Sequence, residues 1–297
     1  MINKIKGIFA RVKWRSLLMW HDVIALRKKD KSYSCADLKK QPILNIVYYT
    51  SVHDWLKCAW AIQSVKNYAG SHPIKIWIRF DDKTSVPEDI LKAAKSYTGN
   101  PAQIGSHRRY GGIGVQACYR QLKDLFEISE KINQNDWLAK TDSDAFFISP
   151  KIFNRINSSN AGGCGMLIRR ENCSFFTGAF FAYRASVIQS IWKNPVFDTI
   201  LHASKLRKVP WHCLAEDVFM TCAAKKLKVN LDNWALGDGF PLLDVNKEGM
   251  NIDKAELLHF PGNNPVWRNY CDLISPAPSE AEFPLKTNVK KCTQSNE

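Results

Sequence analysis

An α/β fold built on a mainly parallel, doubly wound sheet is predicted by three features of this 297-residue sequence. Short β-branched and aromatic runs alternate with segments of helical periodicity through residues 44–149, the order that produces parallel strands joined by crossover helices. Hydrophobic content of 45% and charged content of 24% supply an ordinary globular core. An acidic pair, Asp142 and Asp144, directly follows the apolar stretch Trp137–Leu138–Ala139. In such sheets ligands bind beyond the C-terminal strand ends, which is where this pair falls.

The elements follow in order. Residues 44–50 (LNIVYYT) are β-branched and aromatic and end at a polar cluster, so they form a buried strand. Apolar residues at helical spacing over 54–69 end at Gly70, a C-cap. Residues 74–80 (IKIWIRF) alternate as a second strand, and Pro87 opens a helix to about Thr98 with proline in its first turn. A long amphipathic helix is expected over 114–132, then the strand and turn of 137–149. Residues 174–192 read as a strand entering a helix, and 216–228 as a helix entered through Ala215-Glu216-Asp217. The stretch 229–275 is loop-rich, and 276–297 is a polar tail. The expected domains are a basic amphipathic segment (1–40), one catalytic domain (41–275, with halves at 41–150 and 151–275) and the tail.

The net charge of +14 is unevenly placed, since residues 1–31 hold nine basic and two acidic side chains. Half of the excess therefore sits in about a tenth of the chain, against a nucleic-acid-binding stripe on the main domain. Ile2, Ile5, Ile8, Phe9 and Val12 share one helical arc flanked by Lys4, Arg11, Arg15, Lys6 and Lys13. This pattern suits an interfacial helix on an anionic membrane, with packing against the protein or a partner as the other reading. The N-terminus is too charged for a secretory signal, and 174–192 contains Arg184, so it is a poor membrane span. A cytoplasmic location is expected, with peripheral attachment to the inner face of the cytoplasmic membrane through the N-terminal segment. The nine cysteines lack any Cys-x-x-Cys pair and read as free thiols of a reducing compartment.

Asp142-Ser143-Asp144 taken alone is weak, because a chain of this length contains about one Asp-x-Asp by chance. Its setting strengthens it. Alternate residues of an extended segment point the same way, and Ala145–Ile148 continues the apolar run. Hard carboxylate oxygens favour Mg²⁺ or Mn²⁺.

Four segments in order then resemble the common core of the GT-A glycosyltransferases, a Rossmann-like fold, over about residues 44–262. They are Asp142-Ser143-Asp144; FFTGAFFAYR (175–184), similar to the glycine loop; AEDVFMTCAAKKLKV (215–229), similar to the Glu-Asp helix; and LLHFPG (257–262), whose His259 matches a late metal-ligating histidine. Two departures are Thr177, where Asn or Ser often precedes the glycine, and Lys228, where Gly often ends the helix.

The resemblance implies a nucleotide-sugar donor, a UDP-sugar first, and a divalent ion offsetting charge on the departing diphosphate. It implies Asp144 as the closer metal ligand, Asp142 at ribose or metal-bound water, and His259 as a third ligand. Gly178 and Thr177 would lie at the donor. Asp217 is the expected base, kept ionised by the helix dipole, and Glu216 orients the acceptor or caps the helix. The acceptor expected is a glycan or glycolipid, such as a bacterial surface polysaccharide or lipooligosaccharide.

Other readings stay open at this point. Glu216 and Asp217 also suit a plain helix N-terminus, and His259 a core histidine. Trp211, His212 and Trp267 form a sugar-stacking wall or pack in the core. His107, Arg108 and Arg109 meet phosphate or form a solvated loop. A nucleotidyltransferase is the alternative enzyme, disfavoured by the absence of glycine from TSVHDW (50–55), and a basic nucleic-acid binder is the non-enzymatic one.

Overall fold

The computed structural model describes residues 41–107, 115–170, 173–194, 215–234, 242–261 and 265–278. The expected amphipathic segment 1–40, Arg108 and Arg109, Trp211 and His212, and the tail from 279 lie outside the described residues.

A seven-stranded sheet forms the centre. Its strands are β1 (Leu44–Thr50), β2 (Ile74–Asp81), β3 (Ile104–His107), β4 (Trp137–Asp142), β6 (Gly163–Arg170), β7 (Cys173–Arg184) and β8 (Leu231–Asn233), in spatial order β3-β2-β1-β4-β7-β6-β8. The β3-β2-β1-β4 half is parallel, and β7 runs antiparallel to both β4 and β6. A smaller sheet holds β5 (Ala145–Phe147), β9 (Leu242–Asp244) and β10 (Leu257–His259), with β10 in the middle. This is the mixed α/β architecture with a mainly parallel sheet that the alternation of segments implies.

Both faces of the large sheet are covered, so β1 is buried along its whole length and reads as an unbroken apolar run. On one face Ile46, Tyr48 and Ala139 meet α1 (Trp55–Tyr68), α2 (Glu88–Thr98), α4 (Lys151–Ser158) and the small sheet. On the other, Val47, Tyr49 and Leu138 meet α3 (Val115–Ser129), α5 (Ala185–Trp192) and α6 (Glu216–Lys226). Helix ends follow backbone chemistry. Gly70 (φ +59°) follows α1, and Gly99 (φ +67°) closes α2 through its N–H to the Lys95 carbonyl, both in the left-handed region that glycine tolerates. Pro87 sits one position outside α2 as its N-cap, with an extended backbone, because the helix proper begins at Glu88.

Three parts differ from the sequence reading. Strand β6 lies where Gly163 and Gly165 weaken any strand signal. These glycines leave room for the Tyr183 and Phe176 rings of β7. The loop-rich stretch 229–275 holds β8, β9, β10 and a 3₁₀ helix at Pro265–Leu273, with strands of three residues that show no period. Trp267 is buried edge-on to Phe146 at 6.1 Å, so its ring belongs to the core and forms no sugar wall.

A Cβ added at Gly163 would lie 2.5 Å from the fully buried Tyr183 ring and 2.9 Å from Leu231. Gly163→Ala is expected to cost about 1–3 kcal/mol, measured as a lower urea midpoint at unchanged m-value. An unchanged midpoint would mean that the ring relocates freely.

Candidate active site

The site begins with the period of strand β4. Leu138, Lys140 and Asp142 share one face, so the apolar face that meets α3 and α6 ends in a lysine and an aspartate. At Asp142 the chain leaves the large sheet, turns through Ser143 and Asp144, and enters β5 of the small sheet. The two carboxylates therefore converge through a turn; extended alternation stops at Asp142.

The small sheet supplies the histidine. Residue 259 on β10 stands opposite Ala145 of β5, and the next N–H, of Phe260, donates to the Asp144 carbonyl at 3.0 Å. This pairing brings the His259 Nε2 atom to 3.5 Å from Asp142 Oδ2 and 3.5 Å from Asp144 Oδ1. One ligand atom from each of the three residues lies within 4.8 Å of the others. Gaps of 3.5 Å are long for hydrogen bonds and close to the about 3 Å between neighbouring ligands of a small octahedral cation. Two hard oxygens and an imidazole suit Mg²⁺ or Mn²⁺, so these residues fit the ion that the sequence leads one to expect.

Charge balance points the same way. Five carboxylates (Asp142, Asp144, Glu216, Asp217 and Asp244) gather around His259 and the ammonium groups of Lys57 and Lys140. Burial alone would lower the His259 pKa, but contacts with Asp142, Asp144 and Asp244 outweigh it and push it up to about 11. The ring is thus a cation at neutral pH, and a divalent ion would take the place of its Nε2 proton. Burial opposes ionisation of Asp142 as well, yet Lys140 and His259 hold its carboxyl well below the usual range.

Lys140 is one residue of the site that sequence reasoning missed. Its ammonium is buried and has three donors. All three are used: Asp142 Oδ1 at 2.6 Å, the Gly178 carbonyl at 2.7 Å and Glu216 Oε1 at 3.0 Å. Burial would depress its pKa, but the two carboxylates keep it above the ordinary lysine value. A charged residue inside an otherwise apolar strand was the available signal. Glu216 is committed to this lysine and to Gln121, whose amide nitrogen, turned toward it, lies 3.1 and 3.2 Å from the carboxylate oxygens.

Asp217 occupies the first turn of α6. Its Oδ1 accepts the Val218 N–H at 2.7 Å, and its Oδ2 would be only 3.0 Å from a Cβ on residue 178. Gly178 therefore admits the carboxylate next to the Lys140 ammonium. Thr177 lies beside it on β7, its hydroxyl accepting from the Ala179 N–H at 3.5 Å. Burial and the adjacent Glu216 raise the Asp217 pKa to about 6, above its ordinary 3.8. The helix N-terminus favours the anion, but desolvation is the larger effect, so this carboxyl keeps its proton to a higher pH than an ordinary aspartate.

The chain has a GT-A-like fold. A galactosyltransferase, LgtC, in complex with donor and acceptor sugar analogs, aligns over 81% of this chain and 100% of its own, with a TM-score of 0.50 and 10% identity. The glycosyltransferase GlyE of Streptococcus pneumoniae TIGR4 covers 78% of this chain and 61% of its own at a TM-score of 0.48 and 10% identity. The bifunctional glycosyltransferase WbbM gives 86%, 54%, 0.46 and 10% for the same quantities. No protein-family model matches the sequence, and neither does any curated protein.

Lys140→Met would leave Glu216 buried without its cation, a loss of about 3–5 kcal/mol. The double variant Lys140→Met with Glu216→Gln is expected to recover much of that loss in urea unfolding. Equal destabilisation of the single and double variants would contradict the pairing.

Proposed function

We propose that this chain is a metal-dependent glycosyltransferase moving a sugar from a nucleotide-sugar donor, a UDP-sugar first, to a glycan or lipid-linked acceptor. The observation that carries this reading is the convergence of Asp142, Asp144 and His259 at the end of β4, with Asp217 adjoining through Gly178. The fold it shares with LgtC, whose structure holds donor and acceptor sugar analogs, supports the same choice of substrates.

Asp142, Asp144 and His259 would hold Mn²⁺ or Mg²⁺. When bound, such an ion stabilises the negative charge that grows on a departing nucleoside diphosphate. The protein's own groups do the rest. Lys140 holds Asp142 Oδ1, which leaves Oδ2 facing His259. Asp217 accepts the proton of the attacking acceptor hydroxyl, a role suited to a carboxylate poised near pH 6 and mostly ionised at pH 7. Glu216 fixes the N-terminus of α6 through Lys140 and thereby sets where Asp217 stands.

Residues 41–275 act as one catalytic domain, the donor bound by about 41–150 and the acceptor by about 151–275. Among the described residues no helix is long and apolar enough to cross a membrane. The basic, amphipathic pattern of residues 1–31 supports peripheral attachment to an anionic cytoplasmic leaflet, where lipid-linked precursors of a surface polysaccharide or lipooligosaccharide would be met.

Asp144→Ala is expected to abolish metal-dependent donor binding in calorimetry. Asp217→Asn is expected to keep donor binding and lose at least about 100-fold in turnover. The folded pKa of Asp217 lies above the unfolded one, so its ionisation weakens folding as pH rises from 3.8 to about 6. At pH 7 that cost is on the order of 3 kcal/mol, and Asp217→Asn should therefore melt no lower than the parent. In the parent, kcat/KM should fall about tenfold per unit below pH 6, as the base takes up its proton. Near-normal transfer by Asp217→Asn, or a flat profile through pH 6, would remove the base assignment.

A further inference from the structure

Asp244 has no place in the reading above, yet it touches the proposed metal ligand set. Strands β9 and β10 run parallel, and their register sets Asp244 opposite His259. The Asp244 Oδ1 atom lies 2.7 Å from His259 Nδ1, the shortest contact the ring makes. The other ring nitrogen, Nε2, is the one between Asp142 and Asp144 at 3.5 Å from each. The imidazole is therefore held from behind by one carboxylate while its far edge faces two others. Backbone pairing does not need the Asp244 side chain, because the Val245 N–H donates to the His259 carbonyl at 2.7 Å independently. The side chain is 65% exposed, so packing gives no reason for its position.

We propose that Asp244 is a positioning residue for metal binding: it accepts the Nδ1 proton of His259, so that the Nε2 lone pair is directed at a divalent cation held by Asp142 and Asp144. This rests on the metal-dependent reading of the site and adds the group that orients its one nitrogen ligand. A metal-bound histidine needs its second nitrogen fixed by an acceptor, and loss of such an acceptor typically weakens metal affinity 10–100-fold. The ladder Asp244–His259–Ala145 across the small sheet then has a functional logic. Its outer strand carries the acceptor, its central strand the ligand, and its inner strand follows directly from Asp144.

The test is Mn²⁺ binding by the full chain, read from the electron paramagnetic resonance signal of the free ion, with melting temperatures recorded without metal. Four proteins are compared: the parent, Asp244→Ala, Asp244→Asn and Asp142→Asn. Expected are Mn²⁺ binding by the parent and a 10–100-fold weaker Kd for Asp244→Ala at an unchanged melting temperature. Asp244→Asn should lose less, because its amide oxygen still accepts from Nδ1–H. Asp244→Ala within twofold of the parent, while Asp142→Asn is weakened, overturns the positioning role and leaves the metal site standing. Equal losses in Asp244→Ala and Asp244→Asn would assign the effect to charge alone and also overturn it. A parent that binds no Mn²⁺ overturns the metal reading and this inference with it.

Discussion

Mutual repulsion among carboxylates at the end of β4 is the constraint around which this molecule is arranged. Asp142, Asp144, Glu216, Asp217 and Asp244 come from three separate stretches of chain and would drive one another apart without intervening cations. Lys140 answers the inner part of the cluster with an ammonium whose three donors are all engaged. His259 and Lys57 answer the outer part, with Lys57 reaching Asp144 at 3.5 Å from helix α1. An excess of acid over base remains, which is the electrostatic condition for holding a divalent ion.

The fold supplies this cluster economically. A strand buried on both faces cannot end in charged residues unless they find partners, and the C-terminal edge of a parallel sheet is where such partners and ligands are placed. Here the chain passes from the large sheet into the small one through only Ser143 and Asp144, so one turn belongs to both sheets. The small sheet brings in His259 from more than a hundred residues downstream. The antiparallel strand β7 brings Gly178, whose missing Cβ lets helix α6 set Asp217 against Lys140. Rigid strands, the short turn that carries Asp144 between two of them, and a helix N-terminus thus position the groups, and such a scaffold places them more closely than long loops do.

Much of this was legible from residues alone, for stated reasons. Strand β1 announces itself because burial on both faces demands a continuous β-branched and aromatic run, β2 because its apolar residues alternate, and α1 and α2 because glycine follows their ends. Asp142, Asp144, Gly178, Asp217 and His259 stood out through their order along the chain, and the structure brings them into one neighbourhood. Strand β6 escaped notice because its glycines make space for neighbouring rings and so look like loop. Lys140 and Asp244 escaped for another reason. Each acts through a partner distant in sequence, Lys140 through Glu216 and Asp244 through His259, and no local period encodes such a pairing. Asp217 was foreseen as a base kept anionic by a helix dipole. Its setting is more finely balanced, because desolvation and Glu216 raise its pKa against that dipole.

The most direct test of the central claim is the position of a manganese ion, located by anomalous scattering in crystals grown with MnCl₂ and a uridine diphosphate. The account predicts one dominant peak at about 2.0–2.3 Å from carboxylate oxygens of Asp142 and Asp144 and from Nε2 of His259. A dominant peak elsewhere, or an imidazole that stays bonded to carboxylates with no metal beside it, would contradict the account.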